Sequence, residues 1–160
     1  LAKRRGMKRG LSWGITKQER EEYKELLSRL DLGLENRLSS KIGLLSGGQR
    51  QAITLLMATM NAPKLLLLDE HTAALDPKTA ANVMRLSNEI ITEKKLTTLM
   101  VTHNMKDAIN YGNRLIMMNK GHIVLDIRGE EKKKLTVNEL IDRFSTASGD
   151  EVIDEELLLN

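Results

Sequence analysis

The sequence predicts an α/β fold, a mostly parallel sheet with flanking helices, preceded by a helical segment. Three observations predict it. From Pro63 onward, short apolar runs alternate with amphipathic helical patterns, which is the order of a layered α/β chain. The run Leu65-Leu66-Leu67-Leu68 is too short and too uniformly apolar for an amphipathic element, so it reads as a strand buried on both faces. Before Pro63 the patterns are helical only.

The elements follow in order. Residues 16–32 read as a helix: Thr16 and Glu19 have capping-box spacing, Tyr23, Leu26, Leu27 and Leu30 form an apolar stripe, and Gly33 stops it. A second helix is expected over 50–60, with Ser46 as its cap. After the strand at 65–68, Asp76 and Pro77 occupy the cap and first-turn positions of a helix that runs to about Lys94. Residues 97–102 are the next strand, followed by a short helix over 105–110. Residues 114–119 and 122–126, joined at Lys120-Gly121, make a hairpin, and Thr136 caps a last helix to Phe144. The sequence holds no internal repeat and no low-complexity segment.

With 160 residues, 41% apolar and 29% charged, the sequence matches one globular domain with a real core. Its longest nearly apolar stretch, 52–60, is about half of what a membrane-spanning helix needs. Zero cysteines exclude disulfides and cysteine-ligated zinc and fit a reducing compartment, so the expected location is cytoplasmic. The net charge of +3 is unevenly spread. Residues 1–20 carry seven Lys or Arg against Glu19, whereas no basic residue follows Arg143 and five acids lie between 150 and 156. A basic arm can bind nucleic acid or anionic lipid, but with Trp13 and Tyr23 as its only aromatic company a solvated face is the simpler reading. The acidic end reads as a flexible tail over 146–160. Since Leu1 comes first and all eight methionines are internal, a piece of a longer protein is expected.

Chemistry concentrates in two stretches. Leu45-Ser46-Gly47-Gly48-Gln49 opens a helix with two residues that lack side chains. Backbone N–H groups at the positive end of the helix dipole are therefore left unshielded, which is a seat for phosphate. Twenty residues on, Leu65 to Leu68 ends in two carboxylates, Asp69 and Glu70. A phosphate seat and a pair of acids suggest phosphoryl chemistry.

Together, 45–49, 65–70, Ala74-Leu75-Asp76 and His103 resemble, in order and spacing, the signature motif, Walker B strand, D-loop and switch histidine of ABC-type ATPases. The resemblance is close over 42–125. It implies a partial P-loop NTPase (RecA-like) sheet over 61–145, preceded over 1–60 by part of the helical subdomain that faces a membrane partner. It further implies that Asp69 holds Mg2+ through water, that Glu70 orients or deprotonates the attacking water, and that His103 touches the γ-phosphate of ATP. Ser46, Gly47, Gly48 and Gln49 would meet a nucleotide held by a second nucleotide-binding subunit in a head-to-tail dimer, with Asp76 crossing the dimer interface.

The sequence departs from the family at several points. His71 stands where a proline commonly follows the glutamate, and Ala73-Ala74 replaces the usual serine-containing approach to the D-loop. The sequence contains no Gly-x-x-x-x-Gly-Lys-Ser/Thr, no glutamine loop and no adenine-stacking aromatic, so ATP hydrolysis by these residues alone is not expected. In the resembled sheet the P-loop strand lies between the strand before His103 and the strand over 114–119. That position should be vacant here, to be filled by another chain, by swapping or by rearrangement.

The leading expectation is the C-terminal part of an ABC transporter ATPase, an ATP-hydrolysing subunit peripheral on the cytoplasmic face of the membrane. Its partners would be transmembrane subunits and a second ATPase, with no nucleic acid. The rival readings are a nucleic-acid-associated ABC ATPase, which usually carries heptad segments or cysteine zinc modules before the signature, and a truncated non-catalytic chain that donates its signature face to a partner.

Overall fold

The computed structural model describes residues 15–148; the basic arm before position 15, Trp13 and the acidic residues from 150 onward lie outside the described residues. The chain divides into two compact units with the boundary between Met100 and Val101.

The first unit holds α1 (Lys17–Ser28), α2 (Gly47–Thr59), β1 (Leu66–Asp69) and α3 (Pro77–Glu93), and the boundary falls within β2 (Thr98–Val101). The expected capping box forms at α1: the Glu19 amide donates to Thr16 Oγ1 at 3.1 Å and the Thr16 amide donates to Glu19 Oε2 at 2.9 Å. The helix stops at Ser28, earlier than the sequence suggested. Asp31 (φ 51°) turns the chain before Gly33 (φ 67°) does, and Gly33 instead precedes a short 3₁₀ turn, Leu34–Asn36. A second 3₁₀ turn, Ile42–Leu44, leads into α2.

α3 starts where Asp76 and Pro77 require it to, with the Thr79 amide donating to Asp76 Oδ1 at 3.0 Å. Its inner face, Val83, Leu86 and Ile90, packs with Ala52 and Leu55 of α2, with Leu30 and Leu34, and with Leu66 and Leu68 of β1. A bidentate Arg29–Glu93 pair ties the region after α1 to the end of α3 on the surface. Lys94 closes this end, its ammonium donating to the Thr59 carbonyl at 2.6 Å.

β1 and β2 form a two-stranded parallel sheet, continued by the Leu66 amide donating to the Thr97 carbonyl at 2.9 Å. The expectation of a strand buried on both faces does not hold. Leu66 and Leu68 are buried, 4% exposed in the case of Leu66, whereas Leu67 is 63% exposed. Leu65, Leu99 and Val101 are exposed as well. The reason is geometric: α2 and α3 cover one face, side chains of a strand alternate, and no other described element of the first unit covers the opposite face.

The second unit holds α4 (Met105–Asn110), β3 (Arg114–Asn119), β4 (His122–Arg128), α5 (Gly129–Lys134) and α6 (Val137–Ser148). β3 and β4 make the expected hairpin, turning at Lys120 (φ 50°) and Gly121 (φ 82°), the two left-handed residues that a primed two-residue turn demands. A register irregularity falls between Met117 and Met118. Asp126 receives bidentate bonds from both Arg114 and Arg128 at 2.8 to 3.1 Å, which holds its carboxyl far below the usual carboxylate range. Leu115 and Ile127 turn inward onto Met105, Leu135 and Leu140.

Sequence reading missed α5. Its Lys132 is only 3% exposed and donates to the carbonyls of Ile109 and, at 2.8 Å, Tyr111, near the end of α4. Burial pushes this ammonium below the ordinary lysine value. The last helix extends to Ser148, and its start is as expected, with Thr136 and Glu139 reciprocally bonded.

Among the described residues, β2 pairs only with β1 and β3 only with β4. No described strand takes the second edge of β2 or of β3. One-sided burial of β1 predicts unequal sensitivity in this chain. Leu66→Ala should cost about 2–5 kcal/mol and Leu67→Ala under about 1 kcal/mol in chemical denaturation; equal losses would mean that both faces are packed.

Candidate functional site

The phosphate seat expected at Ser46 to Gln49 is the start of α2. Ser46 is its N-cap: the Gln49 amide donates to Ser46 Oγ at 3.3 Å, and the Ser46 amide donates to Gln49 Oε1 at 3.1 Å. This second capping box satisfies the amide of the third helical residue and leaves those of Gly47 and Gly48 without an intrahelical acceptor. Gln49 is held at its other end too, donating from Nε2 to the Leu32 carbonyl at 3.2 Å, and the Arg50 guanidinium donates to the Leu45 carbonyl at 2.7 Å. The segment before the helix is thereby clamped at both of its ends.

The two glycines are not equivalent. A Cβ on Gly47 would meet only Leu75 Cδ2, at an ordinary 3.5 Å. A Cβ on Gly48 would lie 2.0 Å from Thr79 Cγ2 and 3.4 Å from Thr79 Cβ. Gly48 is buried, whereas Ser46 and Gly47 are exposed. The first turn of α2 thus presses against the first turn of α3 and the Leu75 loop, at a distance that a side chain at 48 would forbid. The structure brings Gly47 and Gly48 together with Leu75, and Asp76 follows directly as the cap of α3. The bonds from Thr79 lower the pKa of Asp76 below the ordinary aspartate value.

Asp69 and Glu70 stand at the carboxyl end of β1, both exposed. Glu70 has a left-handed backbone, φ 41°, and its carbonyl accepts from the Ala73 amide at 3.1 Å, closing a turn. A glutamate in that region is conformationally costly and stays there only where its surroundings hold it. His71 supplies one such hold, its Nε2 lying 3.1 Å from Ser87 Oγ on α3. No motif signals this contact, because its partner lies 16 positions away on another element.

In the second unit His103 is exposed and follows β2. It is flanked by a short cap: the Asn104 amide donates to Thr102 Oγ1 at 3.1 Å, and Asn104 Oδ1 accepts from the Asp107 amide at 3.0 Å to start α4. Among the described residues no helix is long and apolar enough to cross a membrane. They also contain no group of three or more His, Asp or Glu that could hold a metal ion by themselves.

Comparison with known proteins gives a consistent answer. Residues 3–73 match the ABC transporter family. The chain is 53% identical over 122 residues to a tyrosine transport ATP-binding protein of Clostridioides difficile, covering 76% of this chain and 49% of that protein. It is 36% identical over 151 residues to the methionine import ATP-binding protein MetN of Streptococcus pneumoniae, covering 91% of this chain and 40% of that one. Among solved structures, an ATP-binding cassette of an ABC transporter in its ADP conformation superposes with a TM-score of 0.62 at 26% identity, over 91% of this chain and 52% of the other. A dimeric post-hydrolysis cassette bound to ADP and Pi gives 0.59 at 32% identity, over 76% and 50%. The chain spans about half the length of the curated relatives it matches.

The close approach at Gly48 carries a test. Gly48→Ala should destabilise this chain by about 1–3 kcal/mol. Combining it with Thr79→Ala should restore a large part of that loss, so the two effects are clearly non-additive in denaturant melts. The Asp76 cap also has a pH signature. Its folded-state pKa is depressed, so the stability it adds is present above the ordinary aspartate range and is lost as pH falls through the lowered value. Asp76→Asn should flatten this part of an acid unfolding curve while keeping the cap.

Proposed function

The chain belongs to the ABC transporter family, as part of a nucleotide-binding domain, and from that premise we propose that it is the C-terminal portion of an import ATPase that couples ATP hydrolysis to solute uptake. The observation that carries this reading is the packing of the Ser46–Gly48 seat against the Leu75–Asp76 loop across Gly48 and Thr79. In a head-to-tail dimer such a seat meets the nucleotide held by the facing subunit. The dimeric cassette bound to ADP and Pi supports that reading.

In the assembled protein Ser46 and Gly47 close over the γ-phosphate of ATP held by the facing subunit, through the Ser46 hydroxyl and the amides of Gly47 and Gly48. Gln49 holds that turn in shape and Asp76 lies at the subunit boundary. Glu70 orients the attacking water and accepts its proton, and His103 donates to a γ-phosphate oxygen. Asp69 offers a single exposed carboxylate. That fits Mg2+, which takes one or two carboxylates and completes its shell with water and phosphate oxygens, and does not fit an ion that needs a cage of protein ligands. Mg2+ there would neutralise charge on the transferring phosphoryl group.

The protein sits on the cytoplasmic face of the membrane against transmembrane subunits, and the relatives' names, for tyrosine transport and methionine import, support uptake of a small polar solute. The same names do not favour the nucleic-acid alternative.

The test uses the longer protein that includes the P-loop half, with its transmembrane partners. Glu70→Gln should lower ATP turnover by about 10²–10⁴-fold while ATP binding is retained. Turnover unchanged by this substitution would overturn the role given to Glu70. The described chain without that half should show no turnover.

A further inference from the structure

We infer that His71 is a positioning residue that aims Glu70, acting through a hydrogen bond to Ser87 in place of the proline that commonly follows the glutamate in this family; the inference rests on the catalytic reading of Glu70.

The bond has a defined direction. Ser87 Oγ lies 2.7 Å from the Val83 carbonyl and 3.1 Å from His71 Nε2. A carbonyl only accepts and a serine hydroxyl has one hydrogen, so the shorter bond uses it. Ser87 must then accept from His71, and Nε2 carries the proton. The acceptor cannot drift, because Ser87 is 2% exposed and sits in the middle turns of α3 between Val83 and Ile90, both in the core. The His71 ring is therefore tied to a helix whose inner face lies in the core of its unit.

The consequence falls on the preceding residue. Glu70 has φ 41°, and the direction of its side chain depends on where the chain goes next. The Ala73 amide on the Glu70 carbonyl and the His71 ring on Ser87 both shape that course. A proline would stiffen this position through its ring alone. Here a side-chain contact with α3 takes the place of that ring. An error of about 1 Å in placing a catalytic group costs on the order of 100-fold, so loss of one hold with others kept should cost less than that.

The experiment measures steady-state ATPase kinetics of the longer protein. His71→Ala and Ser87→Ala should each lower kcat by about 10-fold with KM for ATP within about twofold, and the double substitution should lower it no further. His71→Gln, whose side-chain amide can donate to the same hydroxyl, should recover most of the loss. Ser87→Ala removes a single oxygen and carries the test should His71→Ala not fold. An unchanged kcat in Ser87→Ala, multiplying effects in the double variant, or no recovery in His71→Gln overturns the inference. Glu70→Gln run beside them separates the two readings. If it abolishes turnover while Ser87→Ala is silent, only the positioning role fails; if Glu70→Gln itself is silent, the reading of Glu70 fails and the inference with it.

Discussion

The first unit depends on one close approach, the first turn of α2 against the first turn of α3, possible because residue 48 has no side chain where Thr79 stands. Both helices have their amino ends fixed at this contact by side-chain caps, Ser46 with Gln49 on one and Asp76 on the other. The core grows from there: Ala52 and Leu55 meet Val83, Leu86 and Ile90, and the pair of helices offers a single apolar platform on which β1 lies. The geometry of the seat is thus a by-product of packing. The contact at Gly48 that lets the two helices meet also sets where the exposed turn at Ser46 and Gly47 stands.

A large part of this was legible in the sequence because its carriers are local. Capping residues, the Asp76-Pro77 start and the Lys120-Gly121 turn act within a few positions of themselves, and they formed where the sequence said. The motif set from Leu45 to His103 was readable for a similar reason, since order and spacing survive in one dimension. What failed was burial. A run of four leucines says that a strand is apolar on both faces and not which of them a given stretch of chain will cover. α5 was missed because Glu130 to Lys134 has the composition of a solvated run, while Lys132 gives its ammonium to the open carbonyls by α4 and so becomes a core residue. The contact between His71 and Ser87 was illegible on both counts, being distant in sequence and made by a residue type with many other uses.

Both units have an aliphatic core, the first between its helices and β1, the second around Met105, Leu115, Ile127, Leu135 and Leu140. The second adds polar contacts: Asp126 between two arginines on the surface of its hairpin, and a desolvated lysine against backbone carbonyls. The exposed ion pairs contribute little to stability in water. The buried lysine matters more, since removing its ammonium would strand acceptors that have lost access to solvent.

Among the described residues one side of the β1 and β2 sheet is exposed, with Leu65, Leu67, Leu99 and Val101 turned outward beside a strand edge that no described strand pairs, and this bears on how the chain behaves in solution. An apolar sheet face next to unpaired N–H and C=O groups is a template for any extended segment, another copy included. Productive assembly therefore competes with self-association for the same surface. Synthesis order and local concentration, as much as the energy of the finished contact, decide which of the two wins.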